Sequence, residues 1–183
     1  HQILALLSKV DGLEHAYVFF SFSLMVVFSV VVDRLCLIFT NSSDAGNAAL
    51  LSAFLPSLLH ANYAYGQLTT LFSMVLGLAS ASYLAESLCR GRRLCLIVAI
   101  LLAVSSFTAH HVSGAFFAAP MFLGTLAYLF FSSQDRKRLV VRCIPFVLGT
   151  AILTLAVIYP FWAYAATKVS AQAPIPHPSK LGI

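Results

Sequence analysis

Histidine, tyrosine and aspartate are the side chains of this sequence whose chemistry suits a ligand-binding or catalytic site. Two histidines are adjacent, at His110–His111, where they interrupt an otherwise apolar stretch. Imidazole and carboxylate groups act as general acids and bases, and imidazole and phenol groups hydrogen-bond to anionic or sugar substrates. The candidate substrate-binding residues are His60, Tyr63, Tyr65, His110, His111 and His177, and the candidate catalytic residues, chosen by position alone, are Asp33 and Asp44.

The composition excludes a soluble globular domain. Hydrophobic residues make up 60% of the chain and charged residues 9%, whereas a soluble protein carries about 25% charged residues. The lipid bilayer must therefore be the main solvent. The net charge of +5 does not indicate a nucleic-acid partner, because seven of the eleven Lys and Arg lie in two short clusters between apolar runs, at 90–93 and 136–142.

The apolar runs predict an all-α fold, a polytopic transmembrane helix bundle of about five spans plus one short interfacial or re-entrant helix. About 20 residues are needed to cross the hydrocarbon core. The short helix is predicted at Ala48–Leu59, where Pro56 lies near the end, and Pro120 predicts a kink or local unwinding in the fourth span. The predicted spans are 16–39, 68–88, 94–108, 112–131 and 139–164.

The bundle itself is predicted to occupy residues 16–167. Residues 1–15 form a cytoplasmic or interfacial segment in this prediction, and residues 168–183 form a Pro-rich tail on the outer side. The chain starts at His1 without a signal-peptide pattern, which favours an excerpt of a longer protein. Free thiols are predicted for the cysteines near the basic loops, because the cytoplasm is reducing.

Several residues indicate packing or anchoring rather than chemistry. Ser73, Gly77 and Ala81 recur at every fourth position and form a small-residue stripe, which predicts close helix packing inside the chain, with homodimerisation as the weaker alternative. Glu86 is predicted to pair with Arg90. The pair Asp33–Arg34 is interpreted mainly as an interfacial snorkelling pair.

The two basic clusters set the predicted orientation. Arg and Lys are enriched in cytoplasmic loops, so loops 90–93 and 135–142 are placed in the cytoplasm of a bacterial plasma membrane. Alternation of the five spans then places residues 40–67, His110–His111 and the C-terminal tail outside. On this topology all the candidate site residues gather on the outer face.

A cofactor is not firmly indicated. The sequence has no HxxxH, HExxH or CxxC spacing, and adjacent residues on a helix point about 100° apart. A divalent metal would need His60 and His177 to join the histidine pair, and it stays an alternative. A haem or chlorophyll ligand is disfavoured because His110 lies near a predicted helix end.

Two stretches resemble a family. The segment AVSSFTAHHVSGAFFAAPMFLG is similar to the part of GT-C-type membrane glycosyltransferases in which a span ends at an outward-facing His before a short return loop. The tail QAPIPHPSK (172–180) resembles a Pro-His segment of the GT-C-like bacterial membrane proteins called "6-pyruvoyl-tetrahydropterin synthase related". The resemblance covers residues 56–180.

This resemblance implies glycosyl transfer from a polyprenyl-phosphate-linked sugar at the outer membrane face. A carboxylate would activate the acceptor hydroxyl, and His or Tyr would position the donor phosphate. No acid of this chain matches the family's catalytic motif, so the excerpt is expected to lack the catalytic centre. The alternative is a non-catalytic accessory subunit packed in a larger membrane complex, including one that carries pigments or haems.

Overall fold

A computed structural model describes residues 12–40, 42–53 and 68–171, together with Lys9, and apart from short turns these residues are helical. This confirms the predicted all-α fold. Four helices are long and apolar enough to cross a membrane, and a fifth, shorter apolar helix lies between them. The helices are α1 (Leu13–Phe39), α2 (Ser42–Ala53), α3 (Leu68–Arg90), α4 (Arg93–Ala109), α5 (His111–Ser132) and α6 (Arg136–Ala171).

The centre of the bundle is the antiparallel hairpin of α3 and α4. Its interface is built from small side chains, and Ala81, Ala99 and Ala103 are all fully buried. The Ser80 hydroxyl donates a 2.7 Å hydrogen bond to the Ala99 carbonyl. Small residues allow two helix backbones to approach closely, as the stripe on α3 predicts, so packing of this stripe inside the chain is confirmed.

Helix α5 contains one wide turn. Residues Gly114–Ala118 form a π-helical turn that ends one residue short of the Ala119–Pro120 peptide bond. Proline has no N–H group to donate along the helix, and π-turns are a common way to accommodate such an interruption. The predicted local unwinding near Pro120 is therefore confirmed.

Helix α6 is much longer than the predicted fifth span. It runs over 36 residues, or about 54 Å, and it continues through both Pro145 and Pro160. Its first half packs on α4 and α5, where Phe146 forms an edge-to-face pair with Phe122 at 5.3 Å. From Ala151 to Tyr164 most side chains are exposed.

Helices α1 and α3 are parallel, which contradicts the predicted topology. Near their first turns Phe20 and Phe72 have ring centroids 6.2 Å apart, and near their last turns Arg34 and Glu86 form a 2.7 Å salt bridge. The alternating scheme had placed Arg34 at the end of the bundle opposite Glu86. A salt bridge between two apolar helices fixes their relative direction, and hydropathy alone does not contain that information.

Helix α2 explains how two successive long helices come to be parallel. It begins at Ser42 and runs back along α1, with the Ser52 hydroxyl 3.4 Å from that of Ser29. Ala45 and Ser52 are buried. The helix therefore starts earlier than the predicted Ala48, and it carries the chain away from the end of α1 toward the end where α3 begins.

Candidate functional site

The histidine pair lies at the turn between α4 and α5. His110 ends α4 in an extended conformation (φ −157°, ψ 97°), and α5 starts at His111. The turn is tight, and only glycine fits at position 114: a Cβ added there would lie 2.9 Å from the Phe107 Cα, too close for two carbon atoms. His110 is partly buried and His111 is exposed, and their rings are stacked with centroids 6.0 Å apart.

The His110 side chain has a structural partner. Its Nδ1 accepts a 3.2 Å hydrogen bond from the Ser113 N–H and lies 2.8 Å from the Ser113 hydroxyl. His110 is thus the N-cap of α5, satisfying a backbone donor that the helix leaves unpaired. An Nδ1 that accepts from N–H leaves the proton on Nε2, so one nitrogen of this imidazole is used by the fold and the other remains for a ligand.

Two serines fasten the same end of the bundle. The Ser73 hydroxyl donates to the Ser106 carbonyl at 2.8 Å, and the Ser106 hydroxyl donates to the Ser73 carbonyl at 2.7 Å. Both residues are fully buried. This reciprocal bond holds the histidine turn against the start of α3. The stripe on α3 included Ser73, but nothing in the sequence indicated Ser106 as its partner.

The candidate acids are at the other end of the bundle. Asp33 is partly buried one residue before Arg34, which pairs with Glu86 near the end of α3, and Asp44 is exposed in the first turn of α2. The histidine turn lies beside Ser73, whose hydroxyl is 3.5 Å from the His110 carbonyl. Ser73 and Glu86 are about 20 Å apart along α3.

The prediction that Asp33 and Asp44 share the face of His110 and His111 is therefore wrong. This error has the same cause as the wrong topology. The end of the bundle at which both acids lie depends on the direction of α1, and α1 was predicted to be antiparallel to α3. The remaining candidates, His60, Tyr63, Tyr65 and His177, lie outside the described residues. Their predicted roles stay predictions.

The acids' end holds a charge cluster that the sequence indicated only in part. Glu86 accepts hydrogen bonds from Arg34 at 2.7 Å, from Arg92 at 3.1 Å and from Arg90 at 3.2 Å. Only the pairing with Arg90 was predicted, and it is confirmed. Arg34 also lies over the Tyr83 ring, 3.9 Å from its centroid, and donates to the Tyr83 hydroxyl at 3.2 Å. The sequence contained one signal for this cluster: α1 has a single Arg and α3 has a single Glu, each inside an apolar helix.

The two basic clusters lie at this same end. The Arg142 guanidinium donates to the Leu88 carbonyl at 3.2 Å and would be 3.4 Å from a Cβ on Gly91. The C-terminal end of α5 lies at this end of the bundle too, since Tyr128 packs edge-to-face on Phe39 of α1 with ring centroids 4.6 Å apart. We call this the basic end and the other the histidine end.

Metal-binding geometry is absent from the ranges that the structure describes. No group of three or more His, Cys, Asp or Glu side chains comes together there. All four cysteines are free thiols. Cys36 lies two residues after Arg34, so it too belongs to the basic end.

The helices and the composition together define an integral membrane protein built as an α-helical bundle. A particular family does not follow from comparison with known proteins. No family model, no curated protein and no solved structure matches the chain. The resemblance to GT-C-like proteins stays a prediction.

Proposed function

We propose that the chain is a non-catalytic transmembrane module that packs against another helix in a larger membrane assembly. A glycosyl transfer site needs a carboxylate and a substrate-positioning group on one face. The candidate acids Asp33 and Asp44 are about 20 Å from the level of the His110–His111 turn. The described part of the chain thus offers separate ends and no shared catalytic centre.

The observation that carries this proposal is a groove between α5 and α6. It has a volume of about 540 Å³ and is lined mainly by apolar side chains, including Phe122 and Leu126. Two polar groups lie in it, the hydroxyls of Thr150 and Thr154, and both are buried without a hydrogen-bond partner in the described structure.

A partner helix accounts for both properties of the groove. An acyl chain fills an apolar groove but supplies no hydrogen-bonding atom, whereas a helix with a Ser, Thr, Asn or Gln supplies both. Interhelical hydrogen bonds of this kind contribute about 0.6 kcal/mol each in membranes. Leu155, an exposed residue of α6 that also lines the groove, extends the surface available to such a partner.

The experiment is to block the groove with a large side chain. Thr154→Trp fills it, and Ala156→Trp places the same side chain on another face of α6, where Ala156 is exposed. We expect the wild-type chain and A156W to migrate in a larger assembly by native electrophoresis of gently solubilised membranes, and T154W to migrate as a smaller species. Equal migration of all three would contradict the proposal.

We propose further that the basic loops 90–93 and 135–142 face the cytoplasm of a bacterial plasma membrane. Positive residues are enriched on the cytoplasmic side, and both loops lie at one end of the bundle. Arg34 increases the difference in positive charge between the two ends of the bundle, because it lies at the basic end and not in the outer half where it was predicted.

Glycosyl transfer from a polyprenyl-phosphate-linked sugar is the second candidate. One observation favours it: the His110–His111 turn lies at the end opposite both basic clusters, as an outward-facing site requires. In this proposal the catalytic carboxylate comes from a part of the protein beyond the described residues, and His111 positions the donor phosphate.

The second candidate is tested in the full-length protein with His111→Ala. We expect fewer glycan products at normal expression, since His111 is exposed and its loss leaves the capping contact of His110 intact. Phe116→Ala, an exposed residue on the same helix, serves as the matched control. Unchanged products in H111A would remove the histidine turn from the site.

A further inference from the structure

A cavity at the basic end combines arginine side chains with apolar ones. It has a volume of about 450 Å³ and lies between α1 and α3. Its lining consists of Arg34, Leu37, Ile38, Glu86, Cys89 and Arg90. Polar and aliphatic groups therefore meet in one cavity at the ends of two apolar helices, where a membrane's headgroup layer meets its hydrocarbon.

The cavity and its immediate surroundings carry an excess of positive charge. Arg34, Arg90 and Arg92 all bond to the single carboxylate of Glu86, which neutralises only one of the three. Arg142 adds a further positive charge where it reaches the Leu88 carbonyl, and Asp33 on α1 adds a negative one. The balance of these six groups is +2.

The arrangement leaves the three arginines accessible and the Glu86 carboxylate covered. The Glu86 side chain is 12% exposed, whereas those of Arg34, Arg90 and Arg92 are 42%, 66% and 62% exposed. Each guanidinium has five N–H donors in a planar fork. Glu86 therefore fixes the direction of the arginines, and their remaining donors are available to a second anion.

The tyrosine beneath Arg34 makes this geometry rigid. Arg34 lies 3.9 Å from the centre of the Tyr83 ring and donates to its hydroxyl. Stacking on an aromatic ring and bonding to a carboxylate together restrict a long side chain that is otherwise mobile. A pre-organised guanidinium loses less conformational entropy when an anion binds.

From these observations we infer that the cavity binds the phosphate headgroup of an anionic phospholipid. Planar guanidinium groups match phosphate oxygens well, and basic pockets between transmembrane helices are suited to anionic headgroups. Leu37 and Ile38 line the same cavity, and they give the lipid's first methylene groups an apolar surface. A free phosphate ion would leave these two side chains without a role.

The experiment measures the thermal midpoint of the purified chain in detergent while one additive is titrated. Phosphatidylglycerol, phosphatidylcholine and inorganic phosphate are the three additives. We expect phosphatidylglycerol to raise the midpoint at lower concentration than the other two. Equal stabilisation by inorganic phosphate would show a free-anion site and overturn the lipid inference, and equal stabilisation by phosphatidylcholine would show a general lipid effect and overturn it too.

Two variants locate the effect. Arg90→Gln removes one exposed cavity-lining charge, and Arg138→Gln removes an exposed charge at the same end outside the cavity. We expect R90Q to need roughly fivefold more phosphatidylglycerol for half of the effect, since one arginine near a membrane surface contributes about 1 kcal/mol, and R138Q to resemble the wild type. Equal shifts in both variants would mean a diffuse surface-charge effect and would overturn the inference.

Discussion

At the scale of single residues, the fold uses a candidate functional residue for a structural purpose. His110 was selected from the sequence because imidazole suits catalysis and anion binding. In the structure its Nδ1 caps α5 through the Ser113 N–H. Capping depends on the backbone conformation of the turn, here extended at φ −157°, and the two adjacent histidines do not reveal which of them leaves the helix.

Substitution of His110 separates its capping role from any chemical role. Loss of an N-cap typically costs about 0.5–2 kcal/mol, so we expect His110→Ala to lower the free energy of unfolding by an amount in this range. Asn is among the best capping residues, and His110→Asn should retain most of the stability. The measurement is unfolding by denaturing detergent, followed by circular dichroism.

The outcome that contradicts this role is equal stability of H110A and the wild type. His111→Ala is the internal comparison, because His111 is exposed and its imidazole makes no capping contact in the described structure. We expect H111A to unfold like the wild type. A loss in H111A as large as that in H110A would assign the stability to ring stacking instead of capping.

At the scale of helices, small residues determine which faces meet. The every-fourth stripe on α3 correctly predicted a buried face, because its period matches one side of a helix. The identity of the neighbours came only from the structure. Gly77 faces α5, where a Cβ at this position would lie 2.8 Å from the Ala118 Cβ, while Ser80 bonds to the Ala99 carbonyl of α4.

Helix boundaries were less predictable than helix faces. The short helix was predicted to begin at Ala48, yet α2 begins at Ser42. Helix α6 continues through Pro145 and Pro160 and extends beyond both bounds of the predicted fifth span, which was 139–164. Neighbouring helices and local adjustments satisfy the backbone groups freed by proline in membranes, and a single sequence does not contain those neighbours.

Enlarging Gly77 tests the close contact between α3 and α5. Overpacking a well-packed interior costs about 1–3 kcal/mol, and Gly77→Val should lower the free energy of unfolding by an amount of this order. Gly124→Val is the matched control, since a Cβ on Gly124 would meet nothing within 4 Å. The same detergent-unfolding measurement applies, and equal stability of both variants would contradict the contact.

At the scale of the whole molecule, the Arg34–Glu86 ion pair determines which candidate residues lie at the same end of the bundle. The sequence correctly placed the two basic clusters together and the histidine turn opposite them. The prediction that the C-terminal end of α1 lies at the histidine end is wrong. It followed from alternation, which assumes that each long apolar helix runs opposite to the one before. The contacts of Arg34 with Glu86 and of Ser52 with Ser29 show that α2 already turns the chain back.

This arrangement predicts which residues share a side of the membrane. In a variant with Cys36, Cys89, Cys95 and Cys143 replaced by serine, single cysteines are introduced at three exposed positions. The positions are Ser42 after α1, Gln134 before α6 and His111 at the histidine end. A membrane-impermeant maleimide added to one side of sealed vesicles should label Ser42→Cys and Gln134→Cys together.

The third position supplies the contrast. We expect His111→Cys to be labelled only from the other side of the vesicles, because α4 and α5 each connect the basic end with the histidine end. The alternating topology makes the opposite prediction, that S42C is labelled together with H111C. That result would return Asp33 and Asp44 to the face of the histidines and would restore the carboxylate–imidazole site that the ion pair of Arg34 and Glu86 separates.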